Sequence, residues 1–500
     1  MSDKSVVVII GAGLAGLAAG VYAQMNGYRS HIFEHHSRPG GVAAAWRRGD
    51  YLIDGGIHFL MGHRPGQPLY DLYKELGAMD GGRFLDMPDY GRYFDEVSGR
   101  SITITADLDQ LAANLRAISP ADGRLIDELI AGVRAMQGAG TLDMSMGEPP
   151  ELASRWGSVR LLWRMRRVLR YFTGRYARPV SDYAQRFQDP WLRRLVANLF
   201  LPEVPYWFVL MLLALLAERQ MGLLEEGCPG FVHPIERRYR ELGGQVTYNA
   251  TVEEILVEDG RAAGVRLADG TQHRAEAVIS AADGHTTIFK MLGGRYADEP
   301  TRARYRDWQL IKPTFMVSYG VARAFDREPH VSMFSLARPL KVGAHVVDML
   351  VLRVFNYSAH FAPAGKTVIQ ASFDTDWDYW HALHADRPAY EAEKARLAAE
   401  VLERLEAHYP GLSTQVEVTD VATPYTTWRY TLNCRGAYMG WLPTSKQLMT
   451  SLPRTLPGLA DFYMAGQWVV PGGGVPISLL SGRDAVRILC KRDGKPFVAR

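Results

Sequence analysis

The stretch Val6 to Gly41 constrains this chain more than any other. Val6–Ile10 is an unbroken β-branched run, the pattern of a strand buried on both faces. Gly11-Ala12-Gly13-Leu14-Ala15-Gly16 follows at once, and Leu14, Leu17, Ala18, Val21 and Tyr22 then recur at helical spacing. A GxGxxG between strand and helix is a dinucleotide cradle. Gly11 permits the tight turn, Gly13 lets the backbone approach a pyrophosphate, and Gly16 seats the helix close on the strand. The first helical turn, with Ala15 in it, points free N–H groups at phosphate. A second strand, Ser30 to Phe33, ends in Glu34, 18 residues beyond Gly16. A carboxylate at that place accepts hydrogen bonds from an adenosine ribose. The expected class is therefore α/β, with a Rossmann-like domain.

Five hundred residues exceed one hydrophobic core, so further domains are expected. A net charge of +3 on this length gives no reason to invoke nucleic acid. The three cysteines (Cys228, Cys434, Cys490) lie far apart without CxxC spacing. They suggest neither disulfides nor a metal site, and they fit a reducing, cytoplasmic setting. Asp3 and the glycine turn argue against reading the apolar N-terminus as a signal peptide.

Along the chain, residues 1–105 carry the first part of the cofactor domain, including an extended segment from Tyr51 to Leu60. Residues 106–221 read as a helical subdomain. Within it, Arg155 to Arg178 holds eight arginines and no acidic residue. Leu161, Met165, Val168, Leu169, Phe172 and Tyr176 would share one face of a helix there, with Arg160, Arg164, Arg167 and Arg170 largely opposite. Two readings stay open: a basic amphipathic helix lying on an anionic membrane, or an ordinary surface helix with solvated arginines. Val204 to Ala217 has no charge but is too short to span a bilayer of about 30 Å, so it reads as a buried helix walling an apolar cavity, with a tunnel mouth dipping into lipid as the alternative. Residues 222–300 return to strands with Asp-Gly turns, as a second cofactor segment. Residues 301–449 read as a sheet-containing substrate domain, and 450–500 as a third cofactor segment. No second GxGxxG follows a strand, so no separate NAD(P)H domain is expected.

Several separated segments carry a family resemblance. With five residues between, Gly40 and Gly41 follow Glu34, and this continuation resembles the FAD signature of the glutathione-reductase and amine-oxidase superfamilies. Residues 40–60 (GGVAAAWRRGDYLIDGGIHFL), 227–265, 422–440 (ATPYTTWRYTLNCRGAYMG) and 462–485 (FYMAGQWVVPGGGVPISLLSGRDA) resemble the phytoene desaturase family, with its carotenoid isomerases and retinol saturases. The resemblance covers most of the chain except residues 106–200. It implies a glutathione-reductase-type FAD-binding domain with an inserted α+β substrate domain. FAD would be held by Gly11, Gly13, Ala15, Gly16 and Glu34, with Gly40, Gly41 and Gly56 beside them. Val252 would meet the adenine through its backbone, Gly466 and Gln467 would lie near the ribityl chain, and Gly473, Gly474 and Val475 near the isoalloxazine. Two departures stand out: Val42 replaces an arginine common after the glycine pair, and Gln467 replaces an aspartate.

His58 is the candidate proton-transfer group, an imidazole expected beside the flavin and able to titrate near neutral pH. A hydrogen-bonded structural histidine is the alternative. Tyr425, Arg429 and Tyr438 are candidate pocket residues, with packing in an aromatic sheet as the alternative, and Asp283 reads as a turn or cap near FAD. The resemblance implies an enzyme that oxidises, reduces or isomerises carbon–carbon double bonds of an apolar isoprenoid or lipid, by hydride transfer at flavin N5. Two other readings share the architecture: an amine oxidase-like flavoenzyme, and a flavin-free chaperone for prenylated proteins. No metal is expected, and the sequence is silent on oligomeric state.

Overall fold

The computed structural model describes residues 5–80, 82–138, 149–153, 163, 166, 168–448 and 450–499. Its first sheet has five parallel strands in the order Gln245–Thr247, Arg29–Phe33, Val6–Ile10, Ala277–Ser280, Phe462–Met464. The strand that opens the glycine turn is thus central, and partners from distant parts of the chain complete the sheet. Alternate residues of Val6–Ile10 serve opposite layers. Val7 and Ile9 pack with Leu17, Val21, Leu479 and Leu489 of the helices Leu14–Met25 and Val475–Arg492. Val8 and Ile10 pack with Ile255 and Val265 of an antiparallel meander on the other face. Full burial of each such aliphatic side chain contributes about 1.5–3 kcal/mol. The two helices approach closely because position 482 is glycine: a Cβ there would stand 2.3 Å from the Ala15 carbonyl oxygen.

The second sheet has seven strands, in the order Val416–Ala422, Thr314–Val321, Thr367–Asp374, His345–Val354, Val331–Val342, Asp89–Asp95, Ser101–Thr105. One face carries Phe315, Val317, Leu350, Leu352, Ile369 and Ala371 against Leu397, Val401 and Leu405 of the helix Arg387–His408. Their in-between neighbours, among them Ser372, Asp374, Val351 and Arg353, turn to the opposite face and line an internal cavity. The strands Asp89–Asp95 and Ser101–Thr105 come from the stretch expected within the first cofactor segment, and Arg92–Asp95 pair in parallel with Ser332–Ser335 in this sheet. Such pairing joins stretches some 240 residues apart, which local pattern does not reveal.

A helical layer covers the cavity side. Leu111, Ile126, Leu129 and Val133 pack with Leu192, Leu195 and Leu210 in one core. The apolar run forms the buried helix Tyr206–Ala217, as expected. The arginine-rich stretch departs from a continuous helix over its described end: it makes two short 3-10 turns, Leu169–Phe172 and Gly174–Ala177. Gly174, at φ 57°, separates them, and Tyr171 is buried while Arg170, Arg175 and Arg178 are exposed. The positions 155–162, 164, 165 and 167 of that expected helix lie outside the described residues. The extended segment Tyr51 to Leu60 is likewise interrupted. Tyr51–Asp54 pairs with Ala45–Arg48, and the chain then leaves the sheet at Gly55. Among the described residues no helix is long and apolar enough to cross a membrane.

Candidate active site

Two connected spaces meet where the first sheet adjoins the second. The smaller, about 130 Å³, is a crevice at the C-terminal ends of the parallel strands, the usual ligand position in such folds. Its walls include Gly11, Gly13, Ala15, Glu34, Gly40, Gly41, Val252, Gly466 and Gln467, so the structure brings these expected cofactor residues together. The helix Leu14–Met25 opens at Gly13 with no side-chain cap, leaving its first N–H groups without a side-chain acceptor.

The glycines of the turn serve different ends. A Cβ on Gly16 would lie 1.9 Å from the Gly11 carbonyl oxygen, so Gly16 is required by the protein itself and stands behind the crevice. A Cβ on Gly13 would meet nothing nearer than the Gly41 Cα at 4.0 Å. Packing does not demand glycine there; close approach of a bound pyrophosphate does. Glu34 is equally ready for a ligand. Its Oε2 accepts from the Ala12 N–H (2.6 Å) and its Oε1 from the His36 N–H (2.7 Å), which aims the carboxylate into the crevice. Burial raises its pKa, against those two hydrogen bonds. Asp283 is a tether, as expected: its carboxylate accepts from the Thr286 N–H (2.7 Å) and the Cys434 N–H (2.9 Å). These features fit a dinucleotide.

The larger space, about 870 Å³, continues from the crevice past Leu14, Val42, Ala43, Gln467 and Ser478, which line both. Gly473, Gly474 and Val475 form one wall, where the helix Val475–Arg492 begins at Gly474, again without a side-chain cap. That helix end can stabilise negative charge on a ring seated there. Gly56 and His58 lie in the wall as well. The roof is Trp207, Phe208, Met211 and Leu212 of the buried helix; the floor is the second sheet, with Met333, Met349 and Val351.

His58 differs from expectation in its charge. Its Nε2 is buried without a hydrogen-bond partner, and desolvation, then the nearby Arg353, hold the imidazole well below its ordinary pKa. It is therefore neutral at neutral pH and does not titrate there. Tyr438 lines the cavity, as expected. Tyr425 and Arg429 do not. Tyr425 stacks on His384 (3.5 Å) on the helix Pro424–Thr431. Arg429 is exposed over Tyr430, and its carbonyl oxygen receives a hydrogen bond from His35 Nε2 (3.1 Å).

Sequence reasoning missed Arg353, His330, Tyr90, Lys312 and Asp374, which also line the cavity. Each is an isolated residue in an unremarkable strand or loop; only the alternation of sheet residues could have hinted at their side. Asp374 lines the cavity and is exposed there, and desolvation by the surrounding protein raises its pKa against the attraction of Lys312 and His345. Among the described residues no group of three or more His, Cys, Asp or Glu is arranged to hold a metal.

Comparison with known proteins agrees with this geometry. The chain is similar to the chloroplastic prolycopene isomerase of Arabidopsis thaliana, 24% identical over 95% of this chain and 81% of the relative. It is similar to the neurosporene-forming phytoene desaturase of Rhodobacter capsulatus, 27% identical over 96% and 93%. In fold it resembles the cyclohexylamine oxidase of Brevibacterium oxydans, with a TM-score of 0.62 at 16% identity, covering 99% of this chain and 100% of that one. The flavin containing amine oxidoreductase family model matches residues 14–490. With its uncapped helix ends, its poised Glu34 and that match, the chain belongs to the flavin containing amine oxidoreductase family and is an FAD-dependent oxidoreductase.

Proposed function

We propose that this enzyme acts on carbon–carbon double bonds of a long apolar substrate of isoprenoid or lipid type, by desaturation, saturation or isomerisation. The observation that carries the reading is the cavity: about 870 Å³, roofed by Trp207, Phe208, Met211 and Leu212, and continuous with the dinucleotide crevice. Likeness to phytoene desaturases and prolycopene isomerases supports the same class.

FAD, when bound, supplies two-electron redox chemistry. The chain's own part is to place and shield the reacting bond. Gly11, Gly13, Gly40, Gly41 and Glu34 would hold the dinucleotide, and the uncapped helix end at Gly474–Val475 would favour electron density on the ring. The aromatic roof keeps water from the reacting carbons. Neutral His58, with Nε2 facing no protein partner, can accept a hydrogen bond or a proton but offers no positive charge. The amine oxidase alternative would seat a cationic substrate beside the Arg353 guanidinium, which Coulomb repulsion opposes. The cofactor of the family leaves the flavin-free chaperone without support.

In the same reading, Arg166, Arg170, Arg175 and Arg178 are exposed near Leu169 and Phe172, which line one wall of the cavity. The arginines would rest on an anionic membrane surface that delivers an apolar substrate.

The test is spectroscopic: oxidised and dithionite-reduced holoenzyme are each mixed with a panel of polyenes and their saturated analogues, without oxygen. Bleaching by a saturated lipid marks a desaturase, and reoxidation by a polyene marks a saturase. Polyene rearrangement with the flavin still reduced marks an isomerase. Oxidation of amines but of no lipid would overturn the proposal.

A further inference from the structure

Arg353 is a half-buried cation with which no carboxylate among the described residues forms an ion pair. It lies on the cavity face of the strand His345–Val354, opposite Val331 and Gln370. One side-chain hydrogen bond is made, from Nη1 to Ser372 Oγ (3.1 Å), and Nε is buried without a partner. No carboxylate lies within 4.0 Å of it among the described residues. Burying a guanidinium in this state is costly unless something completes it.

Asp54, whose charge acts on the guanidinium, and Asp374 of the cavity wall are committed elsewhere. Asp54 Oδ2 accepts from the Cys228 N–H, and Oδ1 from the Cys228 thiol and the Gly56 N–H. Asp374 faces Lys312 and His345. Arg454, a buried arginine of the cavity wall, shows what completion looks like. Its Nε, like that of Arg353, has no partner, but its Nη1 donates to the carbonyls of Leu452 and Val469 (2.7 Å each), and Nη2 lies 3.7 Å from Asp484. Arg353 has no such set.

We propose that Arg353 is the anchor for a carboxylate carried at one end of an otherwise apolar, unsaturated substrate. This rests on the double-bond reading above and narrows it. The guanidinium fork suits a carboxylate, with Tyr90 beside it in the same wall. The apolar remainder would run over Val331, Met333, Met349 and Val351 beneath the aromatic roof. His58 and His330, which also flank Arg353, are held neutral, and the other cations of the wall, Lys312 and Arg454, stand with Asp374 and Asp484, so Arg353 is the one positive charge left over. That matches a carboxylate and leaves a diphosphate under-neutralised.

The experiment compares binding of parinaric acid, a polyene carboxylate, with its methyl ester, read by energy transfer from tryptophan in the holoenzyme as purified. At least tenfold tighter binding of the acid is expected, with the preference lost in Arg353→Gln and partly kept in Arg353→Lys. Equal binding of acid and ester by the unaltered enzyme overturns the proposal and needs no variant. So does a preference that survives in Arg353→Gln, or displacement of the acid by farnesyl diphosphate at equal concentration. If Arg353→Gln shifts the flavin reduction potential and leaves the acid preference intact, the arginine serves the cofactor and the proposal fails. Tryptophan reports binding whether or not turnover occurs, so an acid preference without lipid turnover would condemn the double-bond reading alone.

Discussion

The Asp54 carboxylate holds both the backbone N–H and the thiol of Cys228, at 2.5 and 3.1 Å, although 174 residues separate them. The thiol sulfur in turn accepts from the Ile57 N–H (3.1 Å), so the pair clamps the loop that presents Gly56 and His58 to the cavity. Asp54→Ala should leave these buried donors unsatisfied, at about 1–3 kcal/mol each. A lowered Tm and weakened flavin retention are expected, with Asp54→Asn less affected. Burial, then Asp54, also pushes the Cys228 thiol well up, so it should resist maleimide until the protein unfolds. Equal labelling of native and unfolded Cys228 would contradict the clamp.

The two glycines of the turn should respond differently to alanine. Gly16→Ala drives a methyl into the Gly11 carbonyl and should abolish folding or flavin binding together. Gly13→Ala has room in the protein alone, so its apo form should keep the Tm of unaltered apoprotein while flavin affinity drops by tenfold or more, on the order of 1.4 kcal/mol. Flavin release on dilution and thermal melts of the apoproteins separate the two effects.

Stability should fall on acidification through the histidines of the cavity. Burial, then the Arg353 charge, depresses His330 from its ordinary 6.5 to about 4; both ring nitrogens lack hydrogen-bond partners, and Nδ1 stands 4.0 Å from Asp89 Oδ1. Between those values the unfolded chain binds a proton that the folded one refuses. The contribution is therefore complete above about pH 6.5 and is lost as pH falls towards 4, up to about 3 kcal/mol. His330→Gln should flatten the loss of Tm between pH 7 and pH 5. An unchanged slope in that variant would rule out His330 as its source.

Vesicles containing phosphatidylglycerol should sediment the enzyme, and neutral phosphatidylcholine vesicles should not. Replacing Arg166, Arg170 and Arg178 by glutamine should release it, as should high salt. Arg175 is a weaker choice because it already pairs with Glu128 (3.2 Å).

What could be read from the sequence was what neighbours along the chain decide. The strand–turn–helix of Val6 to Met25 and the placement of Glu34 obey local rules of geometry, and so does the buried helix Tyr206–Ala217. Arg353 could not be found that way. It follows Leu352, which packs against the helix Arg387–His408, and only strand pairing decides that one faces a core and the other a cavity. Tyr425 and Arg429 were misplaced for the converse reason: they sit in a motif next to Tyr438, but the helix Pro424–Thr431 carries them outside the cavity wall. The strand Asp89–Asp95 joined the second sheet through a partner far along the chain, and its local partner Ser101–Thr105 came with it.

The parallel sheet places Val6–Ile10 beside Ala277–Ser280, and the latter beside Phe462–Met464. A ribosome adding ~5–20 residues per second needs tens of seconds to travel from the first of these strands to the last. Throughout that interval the glycine turn exists without the neighbours that make it a site. The nascent chain must therefore keep a β-branched strand from pairing wrongly until its last partner emerges. Cofactor capture in this sense waits for Phe462–Met464 to emerge, long after its signature at Gly11–Gly16 has been made.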